Sequence, residues 1–412
     1  MRKRRALIIG GSLGGLFAAH ELRSIGWDVD VFERTSDDLA DRGAGIGTHL
    51  PLFEIMQRAG LRLDHRSDGT APRSYLCLDR DNRLVHELPM HRTMTAWSRL
   101  YRPLKDHLPP ASYHAGKLLE RIETDDNGAT AIFADGARVT ADLLIGADGF
   151  RSTVRAQVLP DVKPAYAGYI AWRALVPEAD IPPATWAAIH DRYVFCIPEG
   201  ELLVSYPVPT RDADRHKGGL SYNIVWYRPA DDAELADLCT DAEGRRHDVS
   251  IAPPLIRLDV VADMKADARA LLAPPIVDVI ESADQPFFQP IYDLASPQVA
   301  IGRVALLGDA AFVARPHVGA GVTKAALDAM CLAEAIGEAG DDLAAALARY
   351  DRERRLLGDW LVARGRGMGA SIKTRPPGDS APTRSELDRR AETIMRDYIA
   401  VAADIERLVS QR

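Results

Sequence analysis

Three clusters of glycine and acid, far apart in the chain, carry residue types suited to holding a phosphorylated ligand. The first is Gly10-Gly11-Ser12-Leu13-Gly14-Gly15, with Glu33 placed 23 positions after Gly10. Glycine at Gly10 and Gly15 permits a tight turn and close approach of a pyrophosphate to the backbone. A carboxylate at the distance of Glu33 can accept hydrogen bonds from ribose hydroxyls. Ser12 stands where such a fingerprint has its middle glycine and adds a hydroxyl that can donate to phosphate. The second cluster is Gly146-Ala147-Asp148-Gly149, with Arg151 and Arg155 beyond it. The third is the stretch from Leu306 to Thr323, LLGDAAFVARPHVGAGVT. Its Asp309 follows an apolar run and Gly308, a position where open α/β sheets present ligand-binding groups. Pro316, Gly319, Ala320, Gly321 and Val322 then lead into a helix. A helix amino terminus has unpaired N–H groups and about half a positive charge, which suits an anion. Arg42-Gly43-Ala44-Gly45-Ile46 forms a further glycine-rich loop.

Strands and helices must bring these groups together. Ala6 to Ile9 reads as a short buried strand, followed by a helix to about Ile25, with Gly26 ending it. Trp27 to Glu33 alternates as a second strand, which completes a βαβ-type opening. Tyr75 to Leu88 holds two strand-like pieces around the turn Asp79 to Asn82, and Trp97 to Leu108 reads as a helix. From Tyr166 to about Val225 four strand-like runs, GYIAWRALV, DRYVFCIPEG, ELLVSYPVP and LSYNIVWY, follow one another with no helix between them. They predict an antiparallel sheet in a second domain inserted into the first.

The expected fold is therefore α/β, with a Rossmann-like ligand-binding domain, an inserted antiparallel-sheet domain and C-terminal helices. The boundaries read as 1–72, 97–160 and 286–374 for the first domain and 73–96 and 161–285 for the second. A linker and a final helix occupy 375–412. That helix has Leu387, Ala391, Ile394, Tyr398, Val401, Ile405 and Leu408 at alternating spacings of four and three, a narrow seam for another helix or domain. The partner is either the chain's own first domain or a second subunit in a homodimer.

The bulk properties exclude several classes. With 412 residues, 47% hydrophobic and 27% charged, the chain can fill two substantial cores. A net charge of −8 argues against a nucleic-acid partner. No apolar run is long enough to span a bilayer, and MRKRR is followed by a glycine-interrupted ALIIGG rather than a secretory segment. Cys77, Cys196, Cys239 and Cys331 show neither metal-site nor disulfide spacing. A reduced, cytoplasmic protein with no membrane partner is the expectation.

The order and spacing of the three motifs resemble the flavoprotein aromatic hydroxylases, the single-component class A monooxygenases with a glutathione-reductase-type FAD domain. The likeness runs from Leu7 to about Ala335. It implies non-covalent FAD, with its ADP half on Gly10, Gly11, Ser12, Leu13, Gly15, Glu33 and Arg34. It places Arg42, Gly45 and Ile46 beside the flavin and assigns Asp148 to flavin and pyridine-nucleotide use. Gly308 and Asp309 would hold the ribityl chain, Pro316, Gly319, Ala320, Gly321 and Val322 would continue that site, and Asp328 matches an acidic position in the next helix. NAD(P)H would be a transient co-substrate, and an electron-rich ring would take an oxygen atom from O₂ by way of a flavin hydroperoxide. Within the family, GYIAWRALV, the YPVP of Tyr206 to Pro209 and the RPH of Arg315 to His317 look most like the 2,6-dihydroxypyridine 3-hydroxylase group. The implied substrate is a small aromatic compound, a hydroxypyridine or phenol.

Three residues depart from the family pattern: Phe312 replaces a histidine, Thr323 an asparagine and Trp97 an arginine. Same-scaffold enzymes acting on polycyclic or isoprenoid substrates, and a non-catalytic nucleotide-binding protein, remain open at this point. The sheet from Tyr166 to Tyr227 is expected to roof the substrate pocket. Tyr206, on the strand face of Leu202 and Val204, and His317 are the candidates to accept or relay the substrate's proton. An unperturbed histidine titrates at about 6.5 and a tyrosine at about 10.

Overall fold

The computed structural model describes residues 3–39, 45–61, 69–210, 219–376 and 378–410. Arg42, Gly43 and Ala44 of the second glycine-rich loop lie outside the described residues.

The apolar run of β1 (Arg5–Ile9) is buried from Ala6 onward and pairs in parallel with β2 (Asp28–Phe32) and β11 (Leu143–Gly146). Between β1 and β2 runs α1 (Leu13–Ser24), and Gly26, at φ 90°, turns the chain back into the sheet. β7 (Tyr113–His114) extends the sheet beyond β2, and β18 (Val304–Leu306) extends it beyond β11, both in parallel. β17 (Ala300–Ile301) closes one edge antiparallel, giving the order β17-β18-β11-β1-β2-β7. The register decides the function of this sheet. Ile9 is level with Phe32 and with Gly146, and Gly146 is level with Leu306. Parallel pairing therefore sets Gly10, Glu33, Ala147 and Leu307, each one step past its strand, along one edge.

Helix α1 packs against α9 (Gly321–Ala339), which in turn packs against α10 (Leu343–Gly369). A three-stranded antiparallel sheet, β8 (Leu119–Thr124), β9 (Ala129–Phe133) and β10 (Arg138–Ala141), adds Phe133 to the same core, 4.7 Å from the ring of Phe32. The helices α2 (Leu50–Arg58), α3 (Trp97–Asp106) and α4 (Thr153–Val158) complete this part. No described helix is long and apolar enough to cross a membrane.

A larger sheet of eight strands has the order β19-β16-β12-β15-β14-β13-β4-β5. Its members are β4 (Ser74–Leu78), β5 (Leu84–Pro89), β12 (Ala165–Pro177), β13 (Arg192–Cys196), β14 (Leu202–Pro209), β15 (Leu220–Pro229), β16 (Phe287–Ala295) and β19 (Phe312–Val313). Four features differ from the sequence reading. A helix, α5 (Pro183–Ile189), does separate the first two expected strands. The sheet is not antiparallel throughout, because β13 pairs in parallel with β4. Phe287–Ala295, expected to open the last stretch of the first domain, instead hydrogen-bonds along β12. Met94–Ala96 (β6) leaves the large sheet and pairs with β3 (Gly45–Gly47) in a separate two-stranded ribbon.

Strand alternation gives this sheet two buried faces. Ile170, Trp172, Val194, Leu203 and Trp226 form a second core with α5, α7 (Leu258–Leu271) and α8 (Pro274–Glu281). Tyr75, Tyr169, Tyr193, Tyr206 and Tyr227 face the other way, into the main core. A short helix, α6 (Asp232–Leu238), follows the last of these strands and starts at a capping box of Asp231 and Glu234. The final helix, α11 (Arg384–Ser410), buries Ala391, Met395, Tyr398, Val401 and Ile405 against α2, β5 and the turn at 316–318. The apolar seam is thus occupied within its own chain.

Candidate functional site

The aligned strand ends open into a cleft of about 680 Å³ whose walls include Gly10, Ser12, Glu33, Arg34, Asp148, Asp309 and Pro316. Its backbone leaves no room for side chains. A Cβ on Gly10, at φ 111°, would lie 2.3 Å from the Ala147 carbonyl oxygen, and one on Gly15 would lie 1.9 Å from that of Gly10. Gly11 N–H donates to Glu33 Oε2 at 2.8 Å and Thr35 N–H to Oε1 at 2.9 Å, which fixes the carboxylate at the turn. Leu13 and Gly15 lie buried in α1 behind that turn. Ser12 is the N-cap of α1, yet its hydroxyl makes no capping bond. It and the first N–H groups of the helix are thereby available to a phosphate.

Asp148 caps α4, accepting from Ser152 Oγ at 2.5 Å and from the Thr153 and Val154 N–H groups at 2.6 and 3.1 Å. Desolvation raises its pKa above the ordinary carboxylate value, and these hydrogen bonds oppose the rise. Buried Arg155 donates to the carbonyls of Phe150 and Ala310, at 2.7 and 3.0 Å, and so ties the second motif to the third. Asp309 is exposed on the cleft wall. The surrounding protein mass raises its pKa by desolvation, with Lys324 pulling it down, Asp328 pushing it up and Arg155 pulling it down.

Behind Asp309 sits a buried set of charges. Asp328 accepts from Gly308 N–H at 2.9 Å and from Arg354 Nε at 2.6 Å. The buried Lys324 ammonium, 3.8 Å from Asp328, has no hydrogen-bond partner among the described residues. Two cations against one anion leave this set net positive. Gly319, at φ 59°, and Ala320 then turn the chain into α9, whose first residues are Gly321 and Val322. A glycine cradle, a fixed acceptor at Glu33, an exposed Asp309 and an orphaned ammonium fit the residues to FAD.

The three departures from the family pattern have local explanations. The Phe312 ring packs on Gly358, where a Cβ would come within 2.4 Å of it. Trp97 stacks on Tyr101 at 4.6 Å and lines the cleft. Thr323 Oγ1 lies 3.0 Å from His49 Nδ1, and Arg92 Nη2 lies 2.9 Å from His49 Nε2. Because Arg92 can only donate, Nε2 of His49 accepts, and Nδ1–H donates to Thr323.

The tyrosine face of the large sheet carries both proton-transfer candidates, but neither in the setting expected. Tyr193 is level with Tyr75 across β13 and β4, and its ring stacks on Tyr206 at 4.9 Å. Tyr206 donates to the Gly45 carbonyl at 3.0 Å, and burial lifts its pKa to about 12. Gly45 itself is packed so closely that a Cβ would sit 2.8 Å from the Tyr206 ring, while Ile46 pairs with Thr95 in the ribbon. His317 is buried, with Nε2 2.8 Å from the Tyr169 hydroxyl and Nδ1 2.8 Å from the Tyr398 hydroxyl of α11. Burial, aided by Arg315, lowers its pKa to about 3. The expectation that His317 titrates near 6.5 is therefore corrected: the imidazole is neutral at physiological pH and can only relay a proton. Neither Tyr206 nor His317 lines the cleft of the three motifs.

His49, Arg92 and Lys324 escaped the sequence reading because none belongs to a motif, and Tyr169, though within GYIAWRALV, is not distinguished there from its strand neighbours. The hint was the glycine at Gly47, which makes room for Arg92.

His49 is likewise held at about 3 by burial and by Arg92. Both histidines are depressed below the unfolded value of about 6.5, so the unfolded chain binds more protons and stability falls as pH drops from there towards 3. At pH 5 the difference is about 1.5 units, or about 2 kcal/mol for each histidine. Thermal unfolding between pH 7.5 and 5 should show this loss, and it should shrink in His49→Gln. An unchanged midpoint in the wild type would mean that neither histidine is held neutral.

A family model described as "FAD binding domain" matches residues 3–215, and one described as "FAD binding domain-like" matches 166–293. The 2,6-dihydroxypyridine 3-monooxygenase of Paenarthrobacter nicotinovorans is 30% identical over 370 residues, covering 90% of this chain and 91% of that protein. The FAD-dependent urate hydroxylase of Klebsiella pneumoniae is 30% identical over 369 residues, 85% of each chain. The solved structure of 2,6-dihydroxypyridine-3-hydroxylase from Arthrobacter nicotinovorans superposes with a TM-score of 0.84 at 28% identity, covering 93% of this chain and 99% of that one. Shared sequence along nearly the whole chain, and a cleft built as FAD requires, lead to one conclusion: the chain belongs to the FAD-binding-domain family, among its FAD-dependent aromatic monooxygenases.

Proposed function

We propose that the enzyme hydroxylates a small electron-rich ring of the hydroxypyridine or phenol type, bound between the tyrosine face of the large sheet and the Gly319–Val322 turn. The observation that carries this reading is the row of Tyr75, Tyr193 and Tyr206 beside β3. It offers flat apolar surface for a ring and hydroxyls for its polar edge. Bound FAD supplies the redox chemistry, carrying electrons from NAD(P)H to O₂ so that one oxygen atom reaches the ring. The protein's part is to orient the ring, exclude water and move a proton.

Tyr206 holds Gly45 and borders the ring. His317 is the relay. Arg315, whose guanidinium lies 5.5 Å from the Tyr169 ring, opposes the rise that burial gives the Tyr169 pKa. The neutral His317 imidazole accepts from one of the Tyr169 and Tyr398 hydroxyls and donates to the other, at 2.8 Å each. A proton taken up from the substrate at the Tyr169 oxygen sends the Tyr169 proton to one ring nitrogen of His317, the proton of the other ring nitrogen to Tyr398 and the Tyr398 hydroxyl proton to water, so no charged imidazole persists and Arg315 keeps its protons. The four cysteines are buried and form no disulfide among the described residues, which suits work in a reducing cytoplasm.

The test is anaerobic reduction of the FAD-loaded enzyme by NADH or NADPH, alone and with a panel of hydroxypyridines and phenols. One compound class should accelerate reduction strongly and be hydroxylated when O₂ is admitted. A flavin reduced at the same rate with every compound, and no product from any, would overturn the reading.

A further inference from the structure

Arg92 is half-buried beside the Gly319 turn, and among the described residues it lacks the carboxylate that a buried cation ordinarily has. Nη2 donates to His49 Nε2 at 2.9 Å, and the guanidinium charge opposes the rise that burial gives the Tyr75 pKa. Nη2 would lie 2.8 Å from a Cβ on Gly47, so that glycine makes room for it. Nε is buried with no acceptor, and among the described residues no carboxylate pairs with this arginine. Tyr193 and Tyr206 lie close enough for the charge to act on their hydroxyls. His49 is anchored in turn by Thr323 at the start of α9, which fixes the guanidinium from behind.

The geometry points to Arg92 as the specificity-determining cation of the substrate pocket, binding the anionic oxygen of an ionised ring hydroxyl. This rests on the hydroxylase reading and names the form in which the ring is taken. Three facts converge on an oxyanion. Buried Nε of Arg92 lacks an acceptor among the described residues. The rings of Tyr75, Tyr193 and Tyr206 lie near the guanidinium, which suits an acceptor carried on an aromatic body. A ring hydroxyl that loses its proton also becomes the electron-rich form that the reaction consumes. The proton-relay line through His317 lies on the same tyrosine face, so ionisation and recognition belong to one pocket.

The experiment uses the FAD-loaded enzyme and its Arg92→Gln and Arg92→Lys variants. Binding of 2,6-dihydroxypyridine, of 2,6-dimethoxypyridine (which cannot ionise at oxygen) and of 6-hydroxynicotinate is followed by perturbation of the flavin spectrum. FAD affinity is measured alongside as the readout of an intact fold and cofactor site. Loss of a charge-assisted hydrogen bond should weaken dihydroxypyridine roughly 10- to 100-fold in Arg92→Gln, with partial recovery in Arg92→Lys. The dimethoxy compound should bind the wild type and Arg92→Gln equally, and FAD affinity should not move. Equal loss for the ionisable and methylated rings, or a matching loss of FAD, would overturn the assignment. Arg92-dependent binding of 6-hydroxynicotinate alone would place the anion on a ring carboxylate and overturn it as well. A wild-type spectrum that answers to none of the rings would instead remove the substrate reading beneath it.

Discussion

Gly15→Ala is expected to give a folded but colourless protein. The added Cβ would lie 1.9 Å from the Gly10 carbonyl oxygen, a backbone atom rather than the tip of a flexible side chain. Gly10 cannot retreat, because it holds φ 111° with the Ala147 carbonyl where its own Cβ would be. The turn must therefore open, and with it the N–H groups and the Gly11–Glu33 bond that shape the phosphate end of the cleft. Overpacking of this kind costs about 1–3 kcal/mol in stability, small against the loss of a cofactor cradle. Flavin absorbance per protein after gel filtration is the readout, with Gly337→Ala as the control. At Gly337 a Cβ meets only the Ile25 side chain, at 3.8 Å, so FAD should be retained. Full FAD content in Gly15→Ala would remove this turn from the cofactor site.

His317→Ala is expected to uncouple the enzyme. Proton transfer by a positioned side chain contributes about 10²- to 10⁴-fold, so hydroxylation should fall by at least about 10²-fold while NAD(P)H is still consumed and hydrogen peroxide is released. The substitution also strands two buried tyrosine hydroxyls, at about 1–3 kcal/mol each, and Tyr398→Phe guards against misreading that damage. It keeps the imidazole and its bond to Tyr169 and strands one ring nitrogen instead of two hydroxyls, so it should uncouple with a smaller loss of stability. With His317 held near 3, the hydroxylation rate should show no ionisation at about 6.5 belonging to this residue. Coupled turnover at full rate in both variants would leave the relay without support.

The cofactor half of this account was legible in the sequence because its determinants are local. A buried strand, a glycine and an acid one step later are contiguous in the chain, and parallel register does the rest by lining up Ile9, Phe32, Gly146 and Leu306. The substrate half depends on strand order, which no local pattern encodes. Tyr75 meets Tyr193 only because β4 inserts beside β13 in parallel, between segments far apart in sequence. Helix α5 was missed because Pro182 and Pro183 read as loop punctuation, whereas Pro183 occupies the first helical position, where its missing N–H costs nothing. Tyr398 was read as one more apolar residue of a seam. The spacing was right, but it cannot reveal that the hydroxyl reaches His317. The titration expected of His317 failed for a similar reason: burial, invisible in the sequence, outweighs its intrinsic basicity.

The central claim is that this chain transfers one atom of O₂ to a hydroxylated aromatic ring. Turnover of the FAD-loaded enzyme with NAD(P)H and the accelerating hydroxypyridine or phenol, under isotopically labelled O₂, tests it directly. The account predicts a hydroxylated product carrying one labelled oxygen atom, formed in equal amount to the NAD(P)H consumed. Label-free product, or NAD(P)H oxidation that yields only hydrogen peroxide with every ring tried, would contradict it.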